Sequence, residues 1–101
     1  MSDWIRLNMV FPPRLETPLT EALSSDPSIP GYTLFHAEAH TGDFAGASDA
    51  ERVRGRVDRR VLWVVIPADR KDDVLRLMRE HVDAGALRWW TEAVVETGLL
   101  G

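Results

Sequence analysis

Three residues at alternate positions, His36, Glu38 and His40 in "HAEAH", carry the first chemistry legible in this 101-residue sequence. Alternate residues of a strand project to one side, and imidazole nitrogen with carboxylate oxygen is a donor set for zinc, nickel, cobalt or copper(II). Successive groups on one face of a strand lie about 6.5 to 7 Å apart, so such a row closes on one ion only with help. Symmetry that gathers His40, or the nearby Asp43, from several copies is one source of that help. The same row also reads as a half-buried polar strip where a strand leaves its sheet. His81 stands late in a helical stretch and reads as a packing or helix-terminus residue.

The second group is an arginine run. Arg52, Arg54, Arg56, Arg59 and Arg60 are five of the 12 basic residues of an otherwise acidic chain. Guanidinium groups offer fixed donor forks for phosphate or carboxylate, and Gly55 lets a backbone approach a ligand closely. Arg52, Arg54, Gly55, Arg56 and Arg60 are therefore the candidate residues for an anionic ligand or an acidic partner surface. The competing reading is a solvated loop whose arginines pair with Asp49, Glu51 and Asp58. If the run continues into a strand, Arg52, Arg54 and Arg56 share a side and Arg59 does not.

Other chemistry is poorly represented. Ser24, Ser25 and Ser48 lack a nucleophile motif, "GDFAGAS" lacks the spacing of a phosphate-binding loop, and no carboxylate pair stands in a recognisable setting. No enzyme is expected. A formal charge of −4 and a pI of about 5.3 argue against a protein that binds nucleic acid by neutralising phosphates. Without cysteine there is no thiolate metal site, disulfide or redox chemistry. No stretch approaches the roughly 18 apolar residues of a membrane span, and no secretory leader is visible, so a cytoplasmic protein without direct membrane insertion is expected.

The elements that must position these groups follow from hydrophobic period. "WIRLNMVF", residues 4 to 11, alternates with Ile5, Leu7, Met9 and Phe11 on one face, which predicts a strand. A helix follows with Leu15, Leu19, Ala22 and Leu23 at helical spacing, and Pro18 fits only if that helix starts near Glu16 or bends there. "YTLFHAEAH" alternates again, and "RRVLWVVIP" is β-branched and nearly continuously apolar, as in a central strand. Residues 69 to 82 predict a helix with Val74, Leu77, Met78 and His81 along one side, opening on aspartates. "LRWWTEAVVE" predicts the fourth strand. The order is βαββαβ, a ferredoxin-like α+β domain spanning residues 1–101, with a four-stranded antiparallel sheet and both helices on one face.

The helices leave the other sheet face open. Tyr32, Leu34, His36, Glu38 and His40 share one side of their strand, and Trp4, Trp63 and Trp90 are candidates for the open face, subject to register. Large apolar groups there, worth roughly 25 cal/mol per Å² when removed from water, call for a second copy as cover.

The βαββαβ order, the strand "GYTLFHAEAHTG" leading into an Arg-rich connection, and the closing "WWTEAVVETG" together resemble PII-like signalling proteins. Within them, the chain resembles a small branch often encoded beside heavy-metal efflux pumps of the RND type. That branch has a histidine-glycine turn followed by a "VxGRxRR"-like run, which corresponds here to His40, Thr41 and Gly42 and then to Val53 through Arg60. The resemblance runs from about Trp4 to Gly98. It implies a homotrimer with sheets packed around the axis, a connection between the second and third strands acting as a T-loop, here about 41–58, and small effectors in clefts between subunits. Adenine nucleotide is the effector of the nitrogen-regulating members, held by a loop rich in glycine and lysine. This chain has "VDAGALRWW" at that place, and its T-loop lacks the tyrosine that some relatives modify.

The function expected is a non-enzymatic regulatory or sensor protein, a homotrimer with a dimer through the same sheet face as the competing state. It would bind an anion, a nucleotide or a divalent transition-metal ion and act on a partner such as a membrane transporter or efflux-pump component. The alternative is a divalent-metal-binding accessory protein of heavy-metal tolerance, similar in role to the CutA proteins.

Overall fold

The structure is a computed structural model and describes residues 3–40 and 56–101. Strand β1 (Trp4–Phe11) leads through a 3-10 turn (Pro13–Leu15) into helix α1 (Glu16–Ser24). Strands β2 (Thr33–Ala39) and β3 (Val57–Pro67) follow, then a 3-10 turn (Ala68–Arg70) and helix α2 (Lys71–His81). A last 3-10 turn (Ala84–Ala86) precedes β4 (Arg88–Val94). The four strands form one sheet in the order β2-β3-β1-β4, and every neighbouring pair is antiparallel. This is the ferredoxin-like arrangement expected from the element order.

Local rules account for the boundaries. Pro18 is the third residue of α1, inside the first turn, where backbone N–H groups have no intrahelical partner and proline costs little. At the far end the Ser25 hydroxyl donates to the carbonyl of Ala22 at 2.7 Å. In the loop beyond, the backbone N–H and hydroxyl of Ser28 both donate to Asp26, at 2.9 and 2.7 Å. These bonds hold the Asp26 carboxyl below the usual carboxylate range, with a smaller contribution from the charge of Arg70. Helix α2 opens on Asp72 and Asp73 and closes on Arg79 and His81, matching the helix dipole. The His81 ring Nδ1 lies 2.8 Å from the carbonyl of Leu77, as expected of a terminal residue.

The core lies between sheet and helices. Leu7, Met9 and Phe11 of β1 and Leu62, Val64 and Ile66 of β3 meet Leu19 and Leu23 of α1 and Val74, Leu75 and Met78 of α2. The helix face differs slightly from the expected one. Leu75 is buried where Leu77 and His81 were expected, because the buried stripe of α2 is centred on the 74–75–78 side. The third strand also starts earlier than the arginine run implied, at Val57, so Val57 and Asp58 belong to the sheet and not to the connection.

Register fixes the faces, since directly paired residues look the same way. Pairing of Leu34 with Leu62, of His36 with Arg60 and of Glu38 with Asp58 puts Leu34, His36 and Glu38 on the helix side of the sheet. Tyr32 and Leu34 accordingly pack against the core. The row does not join the tryptophans. Trp4, Trp63 and Trp90 stand on the opposite face, where Trp63 and Trp90 both pair with Asn8. Trp89 pairs with Met9 and faces the helices.

Candidate functional site: a charged rim and an aromatic sheet face

Two surfaces contain the chemically distinctive side chains. The first is the end of the sheet from which β2 and β3 run into residues 41–55. There His36 pairs with Arg60, Glu38 with Asp58, and Ala39 with Val57. His36, Ala37, Glu38, Asp58 and Arg60 line a cleft of about 340 Å³. Arg56 Nε lies 3.7 Å from Glu38 Oε1, with both side chains about half exposed. Arg60 turns the other way along the same face, and its Nε donates to Glu16 Oε1 at 2.7 Å. Arg59 lies on the opposite face and donates to the carbonyl of Asp58 at 2.9 Å.

The expected site residues are thus divided. Arg56 and Arg60 come to one rim with His36 and Glu38, and charges of both signs meet there. His40 is exposed just past the end of β2. Among the described residues no three His, Asp or Glu side chains are grouped to hold a metal ion. Arg52, Arg54, Gly55, Asp43 and most of the 41–58 connection lie outside the described residues.

The second surface is the open sheet face. Four rows of three or four residues cross it: Pro67, Trp4 and Val94; Val65, Arg6 and Glu92; Thr33, Trp63, Asn8 and Trp90; and Phe35, Val61, Val10 and Arg88. Phe35 is 45% exposed, Trp90 42% and Trp4 40%, so large apolar groups meet water in the single chain. At the centre is a polar knot. Glu92 Oε1 accepts from Asn8 Nδ2 at 2.8 Å, from Arg6 Nη2 at 2.9 Å and from the Trp90 indole N–H at 3.3 Å. The Arg6 guanidinium also lies 5.5 Å from the centre of the Trp63 ring. Asn8 is 3% exposed and is satisfied by Glu92 and by the carbonyl of Arg6. The Arg6 hydrogen bond, aided by the Arg6 charge and the other two donors, outweighs desolvation and holds the Glu92 carboxyl below the usual glutamate range.

Sequence reasoning reached the tryptophans of this face but missed the knot. The signal was present: Arg6 and Asn8 alternate with the core residues of β1, and Glu92 stands two residues beyond Trp90. What was lacking was the register that lays β4 beside β1.

A sheet of this order carrying both helices on one face is the fold of the PII-like proteins. The chain superposes on PII from Arabidopsis thaliana, solved bound to citrate, with a TM-score of 0.68 over 92% of this chain and 78% of that one, at 16% identity. The sequence model of DUF3240, a family described as a protein of unknown function, matches residues 1–101, and the chain belongs to that family. A DUF3240 family protein from Shewanella baltica OS155 superposes with a TM-score of 0.81 over the whole of both chains, at 14% identity. At these identities the two structural likenesses are likenesses of fold. No curated protein matches the chain. Among the described residues no helix is long and apolar enough to cross a membrane.

Proposed function

We propose that this protein is a non-enzymatic, PII-like regulatory or sensor protein. Three copies associate through the open sheet face, and a small effector binds between subunits beside the charged rim. The connection over 41–55 then meets a partner, of which a membrane transporter or efflux-pump component is the kind implied by the resemblance. The observation that carries this reading is the juxtaposition of an apolar, tryptophan-bearing sheet face with a cleft of mixed charge at the root of one long connection. Burying such a face supplies the driving force for association, and the guanidinium of Arg56, half exposed at the rim, is available to an anion.

The test is calorimetric titration with ATP, ADP, a cyclic nucleotide and citrate, and then with zinc, copper and nickel. The effector reading expects an anion to bind, and expects the double variant Arg54→Ala/Arg56→Ala to weaken it at least tenfold, since each charge-assisted hydrogen bond contributes about 1.5 to 3 kcal/mol. Unchanged binding would remove these arginines from the site. His36 and Glu38 lining one cleft favours the second reading, a divalent-metal-binding accessory protein. On that reading a transition metal binds most tightly and His36→Ala/His40→Ala abolishes it while the oligomer persists.

A further inference from the structure

We infer that the segment 95–101 of one copy docks a leucine, Leu99 or Leu100, into an apolar groove between α2 and β4 of another copy. Val95, Leu99 and Leu100 have the greatest exposures of the large apolar side chains among the described residues, at 90%, 96% and 107%. Isolated exposed leucines are ordinary, but here adjacent ones end a segment that bends away from β4 at Val95 and has no regular structure. The groove is a fitting counterpart. It has a volume of about 120 Å³ and is lined by Leu75, Met78, Arg79, Val82, Leu87 and Trp89. A dry apolar cavity of about 150 Å³ accommodates a benzene ring, so the space suits one branched aliphatic side chain.

Reach determines whose segment can enter. Trp89 and Val94 lie at opposite ends of β4, pairing with Met9 and Trp4, about 17 Å apart at the usual rise per residue. Leu99 is five residues beyond Val94, and five extended residues span about 17 to 18 Å at most. Even a tight two-residue hairpin at Val95 and Glu96 would bring Leu99 and Leu100 of the same chain back only to the level of Glu92 and Thr91, short of Trp89. A neighbouring copy has no such constraint. Charge agrees, since Glu96 is the one ionisable side chain of 95–101 and the charged residue lining the groove is Arg79. The groove is on the helix side of the sheet, so this contact does not compete with cover of the open face. The inference rests on the association proposed above and is independent of any effector.

The natural absence of cysteine gives a clean test by cross-linking. Val82→Cys and Leu100→Cys, each placed alone in a differently tagged chain, are co-expressed and oxidised; Arg79→Cys with Leu99→Cys forms a second pair. The expected result is a hetero-linked product on a non-reducing gel from at least one pair, absent when either chain is expressed alone. Linkage of Leu100→Cys chains to one another would show the 95–101 segments pairing with each other and overturn the inference. No linkage from either pair, in protein that light scattering shows to be assembled, overturns it while leaving association through the sheet face standing. A monomer at micromolar concentration overturns both.

Discussion

Arg60 and Glu16 form the tightest ion pair among the described residues, 2.7 Å from Nε to Oε1, and it ties the start of α1 to the rim end of β3. Its arginine side chain is only 18% exposed, unlike that of Arg56 at 43%. Two arginines expected to act alike toward a ligand are therefore placed differently: one braces the domain and the other faces solvent.

That contrast is measurable by urea denaturation. Arg60→Ala removes a part-buried, charge-assisted hydrogen bond and should lower stability by about 1 to 3 kcal/mol. Arg56→Ala breaks a longer, exposed pair and should cost less than about 1 kcal/mol. Equal losses would show that the bracing role is misassigned.

Association through the open face should respond to a single charge. Val61 sits in the row between Phe35 and Val10, half-buried in the single chain. Val61→Asp leaves the domain folded, with a strand-propensity loss of about 1 kcal/mol, but burying its carboxylate against another copy costs several kcal/mol. Light scattering should show assembled parent and a variant shifted to monomer, with unchanged circular dichroism. A variant as fully assembled as the parent would place the interface elsewhere.

Glu92 should titrate low. Its folded pKa is depressed, so the stabilisation from its three donors is fully present above the ordinary glutamate value of about 4.3 and is lost as pH falls through the lower folded value. Carboxyl-carbon NMR should put its midpoint below about 4.3. Arg6→Gln, which removes the largest cause, should move that midpoint upward. A parent midpoint at the ordinary value would mean that the knot is open in solution.

Phe11 is 0% exposed and lies in the core cluster at the end of β1. Phe11→Ala should cost about 3 to 5 kcal/mol by transfer and cavity terms together, a large part of a small domain's stability. A loss under about 1 kcal/mol would mean that the site collapses around the deletion.

The elements were legible because their hydrophobic periods were clean. Alternation in "WIRLNMVF" fixed the inward face of β1, and the place of Pro18 located the start of α1 within its first turn. The faces of β2 were not legible. In "YTLFHAEAH" the polar His36, Glu38 and His40 follow Tyr32 and Leu34 on one side while Thr33, Phe35, Ala37 and Ala39 occupy the other, so neither side is uniformly apolar and only pairing with β3 sends His36 and Glu38 to the helix side. The Arg6–Asn8–Glu92 knot joins residues 84 to 86 positions apart, a distance over which no local pattern operates. Arg56 and Arg60 were found by composition, which brings charges to notice but does not reveal that one of them is already bonded to Glu16.

The pairing of Ala39 with Val57 has an architectural consequence. Partners in an antiparallel ladder stand about 4.5 to 5.5 Å apart, so the chain departs from and returns to nearly the same point. Between those posts the polypeptide can lengthen, shorten or change composition without moving a strand, and doubling such a loop adds only about 0.6 kcal/mol of closure entropy. The sheet thus works as a socket: the register that anchors the two ends of the insert stays the same whatever the insert's length or composition.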